Sequence, residues 1–251
     1  MEELGNLSSL PDWKSKFYAS YVSSGHAADA VGSAEDFLRP RKTFLVDTIS
    51  THVPPDRSSR IVDLACGPGA LLYFLERAGY QNIVGVDVSE EQIAIARKLG
   101  VTSAVCATFE EFLSAQSPAS ADVVFAIDIL EHFTRPQILD VLASIRRILK
   151  PGGRCIAHVP NSDGIFGMAV RYADFTHEIA FNPISARQVF RIVEFREVRC
   201  FEDKPRVHGF TSLVRRLIWD VGTLPSRILM VAETGVTEAI LSQNMMIEAI
   251  V

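Results

Sequence analysis

The chain has 251 residues, 48% of them hydrophobic, enough for one large domain or two small ones with a full apolar core. A formal net charge of −5 argues against nucleic acid as the main partner, because nucleic-acid binding favours a basic face. Cys66, Cys106, Cys155 and Cys200 are widely spaced with no C-x-x-C pair, which speaks against a clustered metal or disulfide framework. The three outside the turn at 66 read as core filler, and reduced thiols imply the cytoplasm.

The first residues show no basic stretch followed by an apolar one, so no signal peptide is expected. No run approaches the roughly 18 apolar residues that span a bilayer. Residues 1–59 read as a helical cap. Trp13, Phe17, Tyr18 and Tyr21 recur at helix spacing, and Ser23 to His26 break the pattern. A second helix is expected from Glu35 to Ser50, interrupted early by Pro40, with Phe44, Leu45, Ile49 and Val53 on its apolar face. Such stripes pack a core or form a lid over a ligand pocket. Arg39, Arg41 and Lys42 form a solvated face or meet a ligand's carboxylate.

The organising stretch is Arg60-Ile-Val-Asp-Leu-Ala-Cys-Gly-Pro-Gly69. Ile61, Val62 and Leu64 suit a buried strand, residues 66–69 form a turn, and residues 70–78 have helix-forming composition until Gly79. Strand, glycine turn and helix open a nucleotide-binding α/β fold. Ala65, Gly67 and Gly69 let a ligand lie against the main chain. A dinucleotide fingerprint would need glycine where Leu72 stands, and no lysine follows the turn until Lys98, which removes the phosphate loop. Asp63 before the turn repels phosphate and attracts an ammonium group. The ligand expected is a nucleoside with a cationic tail.

At this point the chain resembles the class I S-adenosylmethionine-dependent methyltransferases, whose first motif is an acid followed by three small residues at alternate positions. Ala65 stands where the first glycine usually sits. The resemblance implies a doubly wound α/β fold, a seven-stranded mostly parallel sheet with the last strand antiparallel. It also implies S-adenosylmethionine as methyl donor and S-adenosylhomocysteine as product.

The second strand, Ile83 to Val86, ends at Asp87, 18 residues after Gly69. An acid there meets a ribose diol. Ser89 to Gln92 already cap the next helix, which leaves Asp87 for the ligand, with Val88 beside it. After the third strand, Val101 to Val105, relatives carry Gly-Asp against the adenine amino group; here Ala107 and Thr108 stand there, so the Thr108 hydroxyl and the Phe109 ring are the adenine candidates. Asp122 to Asp128 form a central strand, and Asp128-Ile129-Leu-Glu-His132 matches the family's fourth motif, placing Asp128 and Ile129 at the cofactor. Leu149-Lys-Pro-Gly-Gly153 before the fifth strand, Ile156 to Val159, is a further family hallmark.

Residues 161–182 form the acceptor loop. Arg171-Tyr-Ala-Asp-Phe-Thr-His-Glu178 resembles a methyltransferase subgroup with an Asp-Phe-Thr-His-Glu signature, several members of which are associated with polysaccharide or other sugar methylation. His177 is the first candidate base, oriented by Asp174 or Glu178, and His132 competes with it. Arg171, Tyr172, Asn161 and Glu178 are the candidate acceptor contacts. His158 reads as core. Asp128, Asn161 and Asp163 could offer oxygen ligands to a hard cation, but nothing fixes their geometry and no metal site is assigned.

Ser185 is expected to cap a helix from Pro183 to Phe195, and the sixth strand runs from Arg196 to Phe201. Residues 205–238 form a helical insertion, either a packed subdomain or dimer surface, or a contact with a membrane or lipid-linked acceptor. Residues 239–251 hold the last strand, and residues 60–204 the cofactor-binding core, the whole forming a single domain. The expected reaction is methyl transfer to a small-molecule hydroxyl, foremost on a free, nucleotide-linked or lipid-linked sugar. The alternatives are N- or O-methylation of a secondary metabolite or quinone-like acceptor, and a non-catalytic relative that only binds.

Overall fold

The computed structural model describes Trp13, Lys14, Phe17 and residues 34–251. The expected stripe positions Tyr18 and Tyr21, and the break from Ser23 to His26, lie outside the described residues. Helix α1 (Ala34–His52) is followed by β1 (Ile61–Leu64), α2 (Ala70–Arg77), β2 (Ile83–Asp87), α3 (Glu90–Lys98), β3 (Ala104–Cys106), α4 (Phe109–Ala115) and β4 (Ala121–Ile127). After a 3-10 turn at Leu130–His132 come α5 (Arg135–Ile148), β5 (Leu149–Pro160), α6 (Gly167–Arg171), α7 (Pro183–Ile192) and β6 (Glu197–Glu202). Helices α8 (Phe210–Gly222) and α9 (Leu224–Thr234) then lead to β7 (Asn244–Ile250).

The strands form one seven-stranded sheet in the order β3-β2-β1-β4-β5-β7-β6. The first five are parallel, and β7 runs antiparallel between β5 and β6. Strand order reverses between β1 and β4, and the crevice beyond their carboxyl ends is where open α/β sheets bind ligands. Side-chain alternation along β4 explains the helices on both faces. Val123, Phe125 and Ile127 pack with Leu45 and Ile49 of α1 and with α2. Val124 and Ala126 pack with α4, α5 and Phe190 of α7.

Several boundaries differ from the sequence reading. Strand β3 begins at Ala104 rather than Val101, because Val101 is buried against the turn at Gly69. Strand β5 begins at Leu149 and takes in the Lys-Pro-Gly-Gly segment. Helix α1 runs through Pro40 without interruption. Asn182, not Ser185, caps α7; Ser185 is its reciprocal partner three residues on. Cys106 is exposed rather than core filler.

The insertion does not pack as a subdomain. Helix α9 buries none of its residues and α8 only Ser212. Arg227 anchors the pair through both Glu202 carboxylate oxygens, at 2.7 and 2.8 Å, and the Ala239 carbonyl at 2.6 Å. Phe210, Leu217, Ile218, Val221, Ile228 and Leu229 stay exposed. No helix among the described residues is long and apolar enough to cross a membrane.

Candidate active site

The turn after β1 is built on left-handed backbone: Ala65 has φ 57°, Gly67 φ 52° and Gly69 φ 76°. Asp128, at the end of β4, has φ 54°. Ala65 and Asp128 are costly for residues with a Cβ, and such strain gathers where a site over-determines the chain. Both border one cavity of about 580 Å³, a size suited to a cofactor and a small acceptor.

Asp63 lies at its floor, only 3% exposed. Burial, and then the neighbouring Asp87, push its carboxyl up to about 8, with Arg41 opposing. Asp63 is therefore protonated at neutral pH. Asp87 accepts from the main-chain N–H of Gly67 and of Ser89, both at 2.9 Å, tying the turn to β2. Burial raises the Asp87 carboxyl, and those N–H groups hold it back. Asp87 is thus already engaged by the backbone, and each of its oxygens keeps a further lone pair for a ligand.

Ala65, Gly67, Val88, Phe109, Asp128 and Ile129 also border the cavity. Gly69 does not; its left-handed φ and its packing on Val101 make it the residue that starts α2. Thr108 borders the cavity; its hydroxyl takes part in a capping box with Glu111, donating to Oε2 at 2.9 Å and accepting from its N–H at 3.2 Å, and keeps one further lone pair. Phe109 stacks edge-on against Phe133 at 5.7 Å.

The Asp128 carboxylate pairs with Arg41 at 3.3 Å and with the Nδ1 nitrogen of His158. His158, read as core, is buried but charged. Its Nε2 meets Asp203 at 3.3 Å, and Arg206 links Asp203 to Asp47 of α1. Burial alone would lower the His158 pKa, yet Asp128 and Asp203 outweigh it and hold the imidazole at about 10.

Of the two candidate bases, His132 borders the cavity and His177 does not. The two rings meet edge to face at 4.6 Å. Thr176 donates its hydroxyl hydrogen to Asp174 at 2.6 Å, so it accepts from His132 Nδ1 at 2.8 Å. His132 Nδ1 is therefore protonated and Nε2 carries the lone pair. Burial first, and the neighbouring His177 second, lower the His132 pKa to about 4, which keeps the ring neutral at pH 7. His177 Nδ1 donates to the Arg171 carbonyl at 3.2 Å, which fixes the same tautomer there. Asp174 serves Thr176 through two hydrogen bonds, and so acts on His132 through Thr176.

The other expected acceptor contacts do not border the cavity. Arg171 donates to the Glu178 carbonyl at 2.6 Å and covers the ring of Tyr172, which is 74% exposed. Glu178 pairs with Lys14 at 2.8 Å, and Lys14 also donates to the His132 carbonyl at 2.7 Å. Asn161 is wholly buried; its amide donates to the carbonyls of Ile240 and Ser242 and accepts from the Asp163 N–H. Asn161 thus fastens the end of β5 to the segment before β7. Among the described residues, Glu131, His132 and His177 each offer a ligand atom within 4.8 Å of the others. Lys14, Glu131 and His158 are the site residues that sequence reasoning missed. Nothing local marks Lys14, whereas Glu131 stands inside the fourth motif.

Residues 61–153 match the family model described as a methyltransferase domain. A curated relative from Xylella fastidiosa named ubiquinone biosynthesis O-methyltransferase is 33% identical over 136 residues, 52% of this chain and 53% of its own. The chain spans about half the length of the curated relatives it matches. Among solved structures, a SAM-dependent methyltransferase from Archaeoglobus fulgidus has a TM-score of 0.62 at 19% identity, covering 88% of this chain and 95% of that one. The cyclase SpnF has a TM-score of 0.57 at 17% identity, with 94% of each chain covered. A fold shared with a cyclase does not by itself set the reaction. The chain has the seven-stranded Rossmann-like fold of the S-adenosylmethionine-dependent methyltransferases, and its residues 61–153 match their catalytic-domain family.

Proposed function

We propose that the chain is an S-adenosylmethionine-dependent O-methyltransferase acting on a hydroxyl of a small aromatic, quinone-type acceptor. The observation that carries the reading is one cavity lined together by the buried acid Asp63, by Asp87 and by the neutral histidine His132. S-adenosylmethionine supplies an activated methyl group when bound. Asp63 offers its carboxylate to the cationic amino-acid tail, and Asp87 accepts from the ribose diol. The Ala65–Gly67 turn lets the nucleoside lie close to the main chain. Phe109 offers the adenine an apolar wall.

His132 presents to the cavity a neutral ring, fixed by Thr176 and Asp174, that would take the proton of an acceptor hydroxyl. Holding the acceptor in line with the methyl–sulfur bond supplies up to roughly 7–11 kcal/mol of the barrier. Phe37, Leu38, Pro40, Leu45 and Phe133 give the cavity apolar walls suited to a ring rather than a polyol. The ubiquinone-named relatives support the same acceptor class. The sugar reading rested on the Asp-Phe-Thr-His-Glu resemblance, and the acceptor contacts expected with it, Arg171, Tyr172, Asn161 and Glu178, do not border the cavity.

The test is transfer of a labelled methyl group from S-adenosylmethionine, with a dihydroxybenzoate and a nucleotide sugar as alternative acceptors. The expected result is label on the aromatic hydroxyl, with His132→Ala slower by roughly 100-fold or more. Label on the sugar alone would overturn the acceptor assignment. Absence of any saturable heat with S-adenosylhomocysteine would overturn the enzyme reading in favour of a binding module.

A further inference from the structure

Helices α8 and α9 form one bent rod. The Thr223 N–H donates to the Trp219 carbonyl and the Thr223 carbonyl accepts from the Arg227 N–H, both at 3.0 Å, so the helical ladder runs on through the junction. Pro225, which lacks an N–H and crowds the preceding turn, accounts for the bend. Along this rod Phe210, Leu217, Leu224 and Val231 stand at one position of a seven-residue repeat, and Val214, Val221 and Ile228 at a second. The steps alternate four and three residues, the 3.5-residue period of helices that pack lengthwise on one another. All of these side chains are exposed, from 38% at Val214 to 82% at Phe210. The opposite side of the rod meets the chain's own body: Ser212 and Thr223 are buried, and Trp219 and Ser226 are half-buried.

We infer that α8 and α9 are a self-association surface, on which this seam packs against the same seam of a second copy of the chain. The β-branched Val214, Val221 and Ile228 hold one seam position, and Leu217 and Leu224 the middle of the other. In parallel coiled coils that division favours two strands. With Ile218 and Leu229, the seam leaves on the order of 900 Å² of apolar surface uncovered, comparable to one side of a stable interface and larger than the patches monomers ordinarily carry. Two identical seams close on each other, so the assembly stops at a pair. An anionic bilayer fits this face less well. Helices that lie on membranes carry Lys and Arg free to meet the headgroups, whereas Arg206, Arg216 and Arg227 are tied to Asp47 and Asp203, to Asp220 and to Glu202. Arg215 is the one arginine of residues 205–238 without a partner among the described residues, and the exposed Glu233 and Glu238 offset it. Asp63, Asp87 and His132 line the cavity from a single chain, so each copy keeps a whole site and the pairing does not rest on the methyltransferase reading.

Sedimentation equilibrium of the full chain over a concentration series tests the pairing. The expected mass is twice the 27.7 kDa of one chain. Val221 is 70% exposed, so Val221→Glu leaves the chain's own core alone and puts a charge in the middle of the seam. It should raise the dissociation constant by roughly 100-fold or more. Arg215→Glu lies off the seam and should leave the mass unchanged. In a Cys106→Ser background, chosen because Cys106 is exposed, Val221→Cys treated with diamide should give a covalent dimer. Its place at the middle of the seam brings it to its own copy whichever way the helices run, and Arg215→Cys should not cross-link. Circular dichroism checks the fold of each variant, and Leu217→Lys repeats the test should Val221→Glu fail to fold. A monomeric wild type, a Val221→Glu variant that stays dimeric, or equal cross-linking at 215 and 221 overturns the inference. A monomer that pellets with phosphatidylglycerol vesicles overturns it in favour of a bilayer.

Discussion

His158 sits between two carboxylates, and its charge should make folding sensitive to alkaline rather than acid pH. Its pKa rises from 6.5 in the unfolded chain to about 10 in the folded one. A histidine with a raised folded pKa stabilises fully below the unfolded value and stops doing so as pH climbs through the folded value. At pH 7 the shift amounts to about 4 kcal/mol, and by pH 9 only about 1–1.5 kcal/mol of it remains. The side chain is 7% exposed, so solvent screening leaves most of the effect in place. The perturbation is His158→Gln, which keeps a polar side chain and removes the titrating charge. Urea unfolding of both proteins from pH 7 to 9 should show their stability difference shrinking by about 2–3 kcal/mol. Subtracting the variant cancels lysines and tyrosines titrating in the same range. A difference constant to within about 0.5 kcal/mol would refute the argument, since it would mean that His158 is neutral in the fold.

Asp63, held at about 8 by burial and by Asp87, should lose its proton when a cationic ligand arrives. Calorimetric titration of S-adenosylmethionine at pH 7 in two buffers of different ionisation enthalpy should report release of most of one proton, and no release would contradict the placement of the ammonium group. Gly85→Ala would put a Cβ 2.6 Å from Leu72 Cδ1 and 2.7 Å from Cys66 Cβ, so denaturant unfolding should show a loss of roughly 1–3 kcal/mol. The same variant presses on the turn at 65–69 and should weaken S-adenosylhomocysteine. Asn161→Ala should destabilise by about 2–4 kcal/mol, because it strips two buried carbonyls of their donor, while leaving cofactor affinity nearly intact. An acceptor-binding role for Asn161 would show the opposite pattern.

The lining of the cavity at the sheet's carboxyl edge was readable because its determinants are contiguous. Asp63, the small-residue turn and Asp128 to His132 each lie within a few residues of a strand end, so strand order alone places them. The acceptor half was not, because residues adjacent in sequence face different ways. Asp-Phe-Thr-His-Glu supplies a support for His132 through Thr176 and Asp174, and its own histidine lies behind the ring it helps to position. His158 read as core because its partners Asp128 and Asp203 stand 30 and 45 residues away. Asn161 resembled a loop residue until the segment before β7, 79 and 81 residues on, closed over it. Periodicity reports which face is apolar and carries no record of such distant polar pairings.

Lys14 joins places that chain distance keeps apart: its ammonium holds the backbone of residue 132 and the side chain of Glu178, while Trp13 and Phe17 lean on Phe175. Docking of that early segment and occupancy of the cavity therefore share a border. By thermodynamic reciprocity, whatever tightens one tightens the other to the same degree. A bound guest then shields Trp13, Lys14 and Phe17, and replacing Lys14 would cost the protein some of its grip.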